Sequence, residues 1–351
     1  MSGTVGNNAG RGSGVIATAA GDITKSTSEP ATDTNPSGGV GTVWLRTTTG
    51  DMYVCTDATT DENVWTNVGG LSGNVSPSYA VDFLVVAGGG GASGGDAAGG
   101  AGAGGFRTSY GSGNISGALS AVESDLSFSP GVTYTVTVGA GGVGAAYNVI
   151  GNQGVNSSII GTGVNIVSLG GALSTYNTTA VSGGSGGGDG REGGARDRTA
   201  GAGTANQGMA GGVSSPSYGG AGGGGAGAVG ANTVSNTGGA GGAGLQSSIT
   251  GSAVWYAGGG GGATYGESGG AGGSGIGGAG GGNGGDGTVN TGSGGGGGEG
   301  SGNTGGDGGS GVVVLRFPTS NYTSTTSGSP TETTDGSDTI LKFTSSGSYT
   351  A

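Results

Sequence analysis

Short apolar runs punctuate this chain, separated by long stretches that carry almost no side chains. Tyr79-Ala-Val-Asp-Phe-Leu-Val-Val-Ala87 predicts a strand that passes straight into Gly88–Gly91. After the turn Ser129-Pro130-Gly131, residues 133–139 alternate with period two. Tyr134, Val136 and Val138 fall on one face and threonines on the other, the pattern of a half-buried strand. Ser157–Ile160 and Asn165–Leu169 are two further strand candidates, and Gly311–Phe317 closes the glycine-rich stretch before Pro318. Upstream, Thr42–Thr47 and Met52–Thr56 flank Thr49-Gly50-Asp51 as a hairpin, with Asn63–Val68 as a third strand. Near the end, residues 339–344 set Ile340, Lys342 and Thr344 against Thr339, Leu341 and Phe343, which predicts a half-buried strand, a turn at 345–347 and a last short strand. A chain-end strand of this kind must add to an existing sheet edge. No segment carries a helical period, so the fold class expected is mainly β, without substantial α-helix.

Between the apolar runs the dominant period is three. Glycine occupies positions 269, 272, 275, 278, 281, 284 and 287, and shorter registers begin at Gly184, Gly219, Gly238 and Gly302. Collagen shares this period but requires abundant proline, whereas here only Pro216 and Pro318 follow Pro130 within the body. A proline-free strand keeps its N–H donors. It can wind as an extended left-handed helix of three residues per turn and bond sideways to its neighbours. Where two of the three faces carry only hydrogen, backbones can approach on both. The expectation is therefore an antiparallel sheet or sandwich combined with a stack of polyglycine helices, rather than a flexible linker, which has no use for apolar strands. Unbroken, the run from Gly269 to Gly287 would span roughly 60 Å, and a turn within it would halve that length.

Composition marks the boundaries. Of 100 glycines, 13 precede residue 79 and three follow residue 318, so 84 crowd into 240 residues. The expected organisation is an extended arm over 1–40, a small β-hairpin module over 41–78, the glycine-rich body over 79–318 and a tail over 319–351 with one strand pair. Trp44 and Trp65 are expected to form the module's core, with sugar binding by exposed tryptophans as the alternative. At 31% hydrophobic, the chain must gain stability from backbone hydrogen bonds and close packing.

The net charge of −12, with two lysines, lacks the basic footprint of a nucleic-acid binder. No run approaches the roughly 20 apolar residues of a membrane-spanning helix, and neither a basic nor an apolar leader opens the chain. Without histidine and with a single cysteine, Cys55, the common His-based and Cys–His catalytic arrangements cannot form. Gly281-Gly-Asn-Gly-Gly-Asp286 fits the start of a calcium-binding nonapeptide repeat, but it occurs once and Thr288 stands where an apolar residue belongs. No catalysis, cofactor or metal is expected.

The order AVDFLVVAGGGG (80–91), GAGGFRTSY (102–110), SPGVTYTVTVGAGG (129–142) and GGSGVVVLRFP (308–318) resembles glycine-rich domains of bacteriophage tail-fibre and adhesin proteins. It is more distantly similar to the glycine-rich domain of certain animal receptor tyrosine kinases. The resemblance implies polyglycine helices stacked between flanking strands, with loop tips that meet the host. TGDMYVCTDATTDENVWTNVG (49–69) resembles a short module of phage virion proteins, and MSGTVGNNAGRGSGVI (1–16) is similar to N-terminal arms of marine phage structural proteins. One departure is that the segment like ILKFTSSGSYTA (340–351), which in such proteins precedes the VDFLVVAGGG strand, here ends the chain. Its expected place is the sheet of Asp82–Val86.

The function this implies is a virion fibre, tail-associated and host-recognising, homotrimeric and assembled in the host cytoplasm. A head-decorating or collar fibre and a glycine-rich cell-wall protein are the alternatives. Candidate host contacts, to a surface glycan or protein, are Arg191, Arg196 and Arg198, in a loop with six of the body's sixteen charges, together with Tyr176, Tyr218 and Tyr265. Arg11, Val15 and Ile16 are the candidates for attachment to other virion proteins.

Overall fold

The computed structural model describes residues 23–69, 77–111, 115–176, 179–190, 199–214, 219–266 and 268–351. These fall into two compact units. The first holds the described residues up to Ser78 with Ser129–Gly131, and the second holds Tyr79–Phe128 and Val132–Ala351. The tail expected as a separate segment thus belongs to the second unit.

In the first unit a four-stranded sheet runs in the order Thr24–Ser26, Val43–Arg46, Met52–Asp57, Val64–Gly69. The segment expected to extend as an arm to residue 40 joins this sheet from Thr24, which pairs in parallel with Trp44. Tyr53, Cys55 and Trp65 are buried. Trp44 packs edge-on against Trp65 at 5.9 Å, so the tryptophans form the core of this module.

Two sheets organise the second unit. One runs in the order Thr331–Asp335, Asp338–Phe343, Val312–Pro318, Tyr79–Val86, Phe106–Thr108, with Leu126–Phe128 beside the start of Tyr79–Val86. The other runs Val164–Ser168, Ser157–Gly161, Thr133–Thr137, Gly347–Thr350, Thr326–Ser327. All their pairings are antiparallel. Alternate residues of facing strands meet between the sheets: Val81, Phe83, Val85, Val313, Leu315, Phe317, Leu341 and Phe343 against Tyr134, Val136, Ile159 and Tyr349. Phe128 stacks on Tyr134 at 3.6 Å.

The first sheet is also covered on its outer face. There Leu84, Val86, Val312, Val314 and Ile340 meet Leu245, Ile249 and Tyr256 from the hairpin of Leu245–Ser247 and Val254–Tyr256. This corrects the half-buried reading of the tail strand, since Ile340 lies in one core and Leu341 and Phe343 in the other. The strand does lie in the sheet of Tyr79–Val86, with Val312–Pro318 between the two.

From the sandwich the glycine segments extend as rods. The rod 87–93 shows their logic. Its N–H groups turn through three neighbours in succession: Ala87 and Gly90 donate to Gly105 and Gly102, Gly88 and Gly91 to Val155 and Asn152, and Gly89 and Ala92 to Gly309 and Gly306. Its carbonyls accept in the same rotation, from Gly171 and Ser174, Gly142 and Ala145, and Gly295 and Gly298. Each partner recurs every third residue, one turn of a three-fold helix, and six neighbours surround the rod in a hexagonal array. The rod 98–105 is enclosed in the same way by 169–175, 221–224, 292–295, 87–90, 185–188 and 260–263. Gly272 has φ −72° and ψ 148°, the polyproline-II geometry that the triplet period predicts.

At Gly238-Gly-Ala-Gly-Gly-Ala-Gly244 the side-chain-bearing position faces outward. Ala240 and Ala243 are exposed while Gly239 and Gly242 are buried. The run 269–287 is not one long rod. Its chain reverses at Gly273–Gly275, where Ser274 and Gly275 adopt positive φ, and again near Gly281. Gly280 therefore bonds back to Gly270, and Gly285 to Ala279, which yields three short antiparallel rods in place of a 60 Å span. The triplet period sets the helix, but it does not prevent a glycine from turning.

Candidate functional site: the loop tips of the rods

Rods that leave the sandwich must turn at their far ends. The rod 87–93 departs from Tyr79–Val86 and 98–105 returns to Phe106–Thr108, which places the reversal 94–97 away from the sheets. The rods after Thr133–Thr137 and Val254–Tyr256 leave in the same direction, as does 292–298, so the reversals at 146–150, 264–266 and 299–303 share that end. Bridges between Gly94 and Tyr147 and between Ala146 and Thr304 confirm that the tips adjoin.

Side chains stitch the tips together. The Tyr147 hydroxyl donates to Asp96 Oδ1 at 3.0 Å, and Tyr176 donates to the Asn148 carbonyl at 2.6 Å. The Gly266 N–H donates to Glu299 Oε1 at 2.7 Å, and Thr264 donates to the Asn236 carbonyl. Tyr265 is 62% exposed, and the aliphatic tips Val149, Ile150 and Val234 are exposed as well. This is an uneven surface of aromatic, aliphatic, amide and carboxylate groups on a base of hydrogen-bonded rods.

Of the sequence-predicted contacts, Tyr176 and Tyr265 lie at this end. Arg191, Arg196, Arg198 and Tyr218 lie outside the described residues, as do Arg11, Val15 and Ile16. Asp189, which opens the charged loop, is buried, with its carboxylate accepting from the Ser214 hydroxyl at 2.5 Å. Val149, Ile150 and Val234 were not among the sequence candidates, because single aliphatic residues in polar reversals carry no signal of a contact surface until the fold gathers them at one end. The calcium-like motif has another use: Asn283 Oδ1 accepts from the Thr304 N–H and Asp286 Oδ1 from the Asp307 N–H, tying two outer rods together. Among the described residues no cluster of three or more acidic, cysteine or histidine side chains could hold a metal, and no helix is long and apolar enough to cross a membrane.

A displaced carboxyl lies in the sandwich. Burial, reinforced by neighbouring Asp125, pushes Asp82 up to about 6, against the opposing pull of the Ser109 hydroxyl and Arg316. Arg316 is itself held by Asp338 at 2.9 Å and Asp335 at 2.8 Å and lies over the Tyr110 ring. Because Asp82 binds its proton more tightly in the folded state, its contribution to stability is full below the ordinary aspartate value of 3.8 and is lost as pH rises through 6. Asp82→Asn, which mimics the protonated form, is expected to raise the melting temperature by roughly 2–4 °C at about pH 7.5 and to leave it unchanged near pH 4. Calorimetric scans of both proteins across that range check the sign.

The family model described as "Glycine-rich domain" matches residues 66–318. No curated protein and no solved structure matches the chain significantly.

Proposed function

We propose, from the premise that this chain belongs to the glycine-rich domain family, that it is a bacteriophage virion fibre protein whose loop tips contact the host surface. The observation that supports this reading most is the gathering of the tips at one end of a rod lattice held by main-chain hydrogen bonds. Such a base stays rigid whatever the tip sequences are, and exposed Tyr265, with the exposed aliphatic residues of other tips at the same end, offers the aromatic and apolar anchors that dominate recognition. In this reading the protein is a binder and not an enzyme. It sits on the tail as a homotrimer, with the segment containing Arg11, Val15 and Ile16 docked to other virion proteins.

Electron microscopy of particles labelled with antibody to this chain tests the assignment. Label at the tail tip, together with antibody that blocks adsorption, is the expected result, and label on the head alone would replace it with a decorating fibre. Tyr265→Ala is expected to weaken binding of the purified protein to host cells about tenfold or more without lowering its melting temperature.

A further inference from the structure

We propose that a cleft at the sheet end of the rods, remote from the tips, binds a neutral saccharide. Its volume is about 460 Å³, and Arg107, Ser120, Ala121, Glu123, Ala205, Asn206 and Gln207 line it. That volume lies within the usual range of small-ligand sites, about 300–1,000 Å³.

The cleft is firmly built. Arg107 belongs to the strand Phe106–Thr108, and the Glu123 N–H donates to the Thr108 carbonyl. The Phe106 N–H donates to the Gln207 carbonyl, and the side-chain Oε1 of Gln207 accepts from the Leu169 N–H at 2.8 Å. Left-handed Asn206, at φ 61°, turns the chain at the rim.

The polar groups that remain define the ligand. Arg107 spends Nε and Nη2 on the two oxygens of Glu123, at 2.7 and 2.5 Å, and Nη1 on the Val167 carbonyl at 3.0 Å. Two of its five N–H groups are left over, and each Glu123 oxygen retains a lone pair. Ser120 donates its proton to the Gly117 carbonyl and keeps its acceptor capacity. The Gln207 Nε2 and the Asn206 amide make no bond among the described residues.

This array alternates donors with acceptors and carries no net charge, because Glu123 balances Arg107. An anion therefore finds a compensated cation and a cation finds a compensated carboxylate. An apolar ligand finds only the methyl groups of Ala121 and Ala205. Vicinal hydroxyls, which donate and accept at once, match the paired Arg107 N–H and Glu123 lone pair as well as the two side-chain amides.

Ligand-observed saturation-transfer NMR on the full chain, with glucose, galactose, N-acetylglucosamine and maltose at up to about 10 mM, tests the assignment. Glucuronate and inorganic phosphate serve as charged controls, and a neutral cell-envelope polysaccharide tests whether a polymer-borne sugar binds better than a free one. At least one neutral saccharide is expected to bind. Asn206→Gly, which keeps the left-handed turn, and Glu123→Gln are each expected to weaken it about tenfold. A melting curve confirms that each variant is folded, and Tyr265→Ala, which alters only the remote tips, should leave binding of the free mono- and disaccharides unchanged. No transfer to any neutral sugar, transfer only to the charged controls, or binding lost in Tyr265→Ala but kept in both cleft variants would each overturn the proposal.

Discussion

Gly90→Ala is expected to destabilise the second unit by about 3 kcal/mol or more, while Gly282→Ala changes its stability by less than about 0.5 kcal/mol. A Cβ on Gly90 would meet the Ala172 carbonyl oxygen closer than 3.0 Å, a separation real side chains do not adopt. Both partners are backbone and both lie in bonded rods, so neither can yield without breaking hydrogen bonds to further neighbours. The same atom on Gly282 finds only the Asn303 amide nitrogen, at 3.9 Å. Denaturant midpoints of the two variants provide the measurement. Equal behaviour would mean that the lattice is looser than its hydrogen bonds indicate.

Deleting 338–351 is expected to unfold the second unit. The segment supplies Ile340 to the outer core and Leu341, Phe343 and Tyr349 to the inner one. At about 1.5–3 kcal/mol per buried large side chain, those four alone approach the 5–15 kcal/mol that holds a typical domain together. The deletion also uncovers Val312–Pro318 along one edge and separates Thr133–Thr137 from Thr326–Ser327. Loss of near-ultraviolet circular dichroism with a gain in dye binding is the expected signature. A truncated chain that melts like the parent would show that the tail is dispensable.

The strands with four or more patterned residues were legible because burial imposes a period on them: 79–86, 133–137, 157–161, 164–168, 312–318 and 338–343 lie close to where alternation and apolar runs place them. Phe106–Thr108, Leu126–Phe128 and Leu245–Ser247 are too short to show a period. Thr331–Asp335 contains no apolar residue, because it is an exposed edge strand. The helix type was legible from the triplets, but the neighbours of each rod were not. Glycine has no side chain with which to encode a partner, so the reversals within 269–287 and the sixfold surroundings of 87–93 appear only in three dimensions. At the tips, Tyr176 and Tyr265 stood out as aromatics among glycines, whereas Val149, Ile150 and Val234 looked like ordinary spacers. The cleft at Arg107 was hidden because it joins Arg107 and Ser120–Glu123 to the distant segment Ala205–Gln207.

The enclosure of the rod 87–93 also bears on how the chain matures. Its hydrogen-bond partners are spread from Gly102 to Gly309, and the strand that feeds it pairs with Val312–Pro318. At translation rates of about 5–20 residues per second, this rod waits on the order of ten seconds or more on the ribosome before its last neighbours are synthesised. Helix formation and loop closure take microseconds or less, so the delay comes from chain length and not from local chemistry. The second unit therefore closes late and as a whole, once the segment from Val312 onward has left the ribosome. During that interval the waiting segment is mostly glycine, which exposes little apolar surface to aggregate.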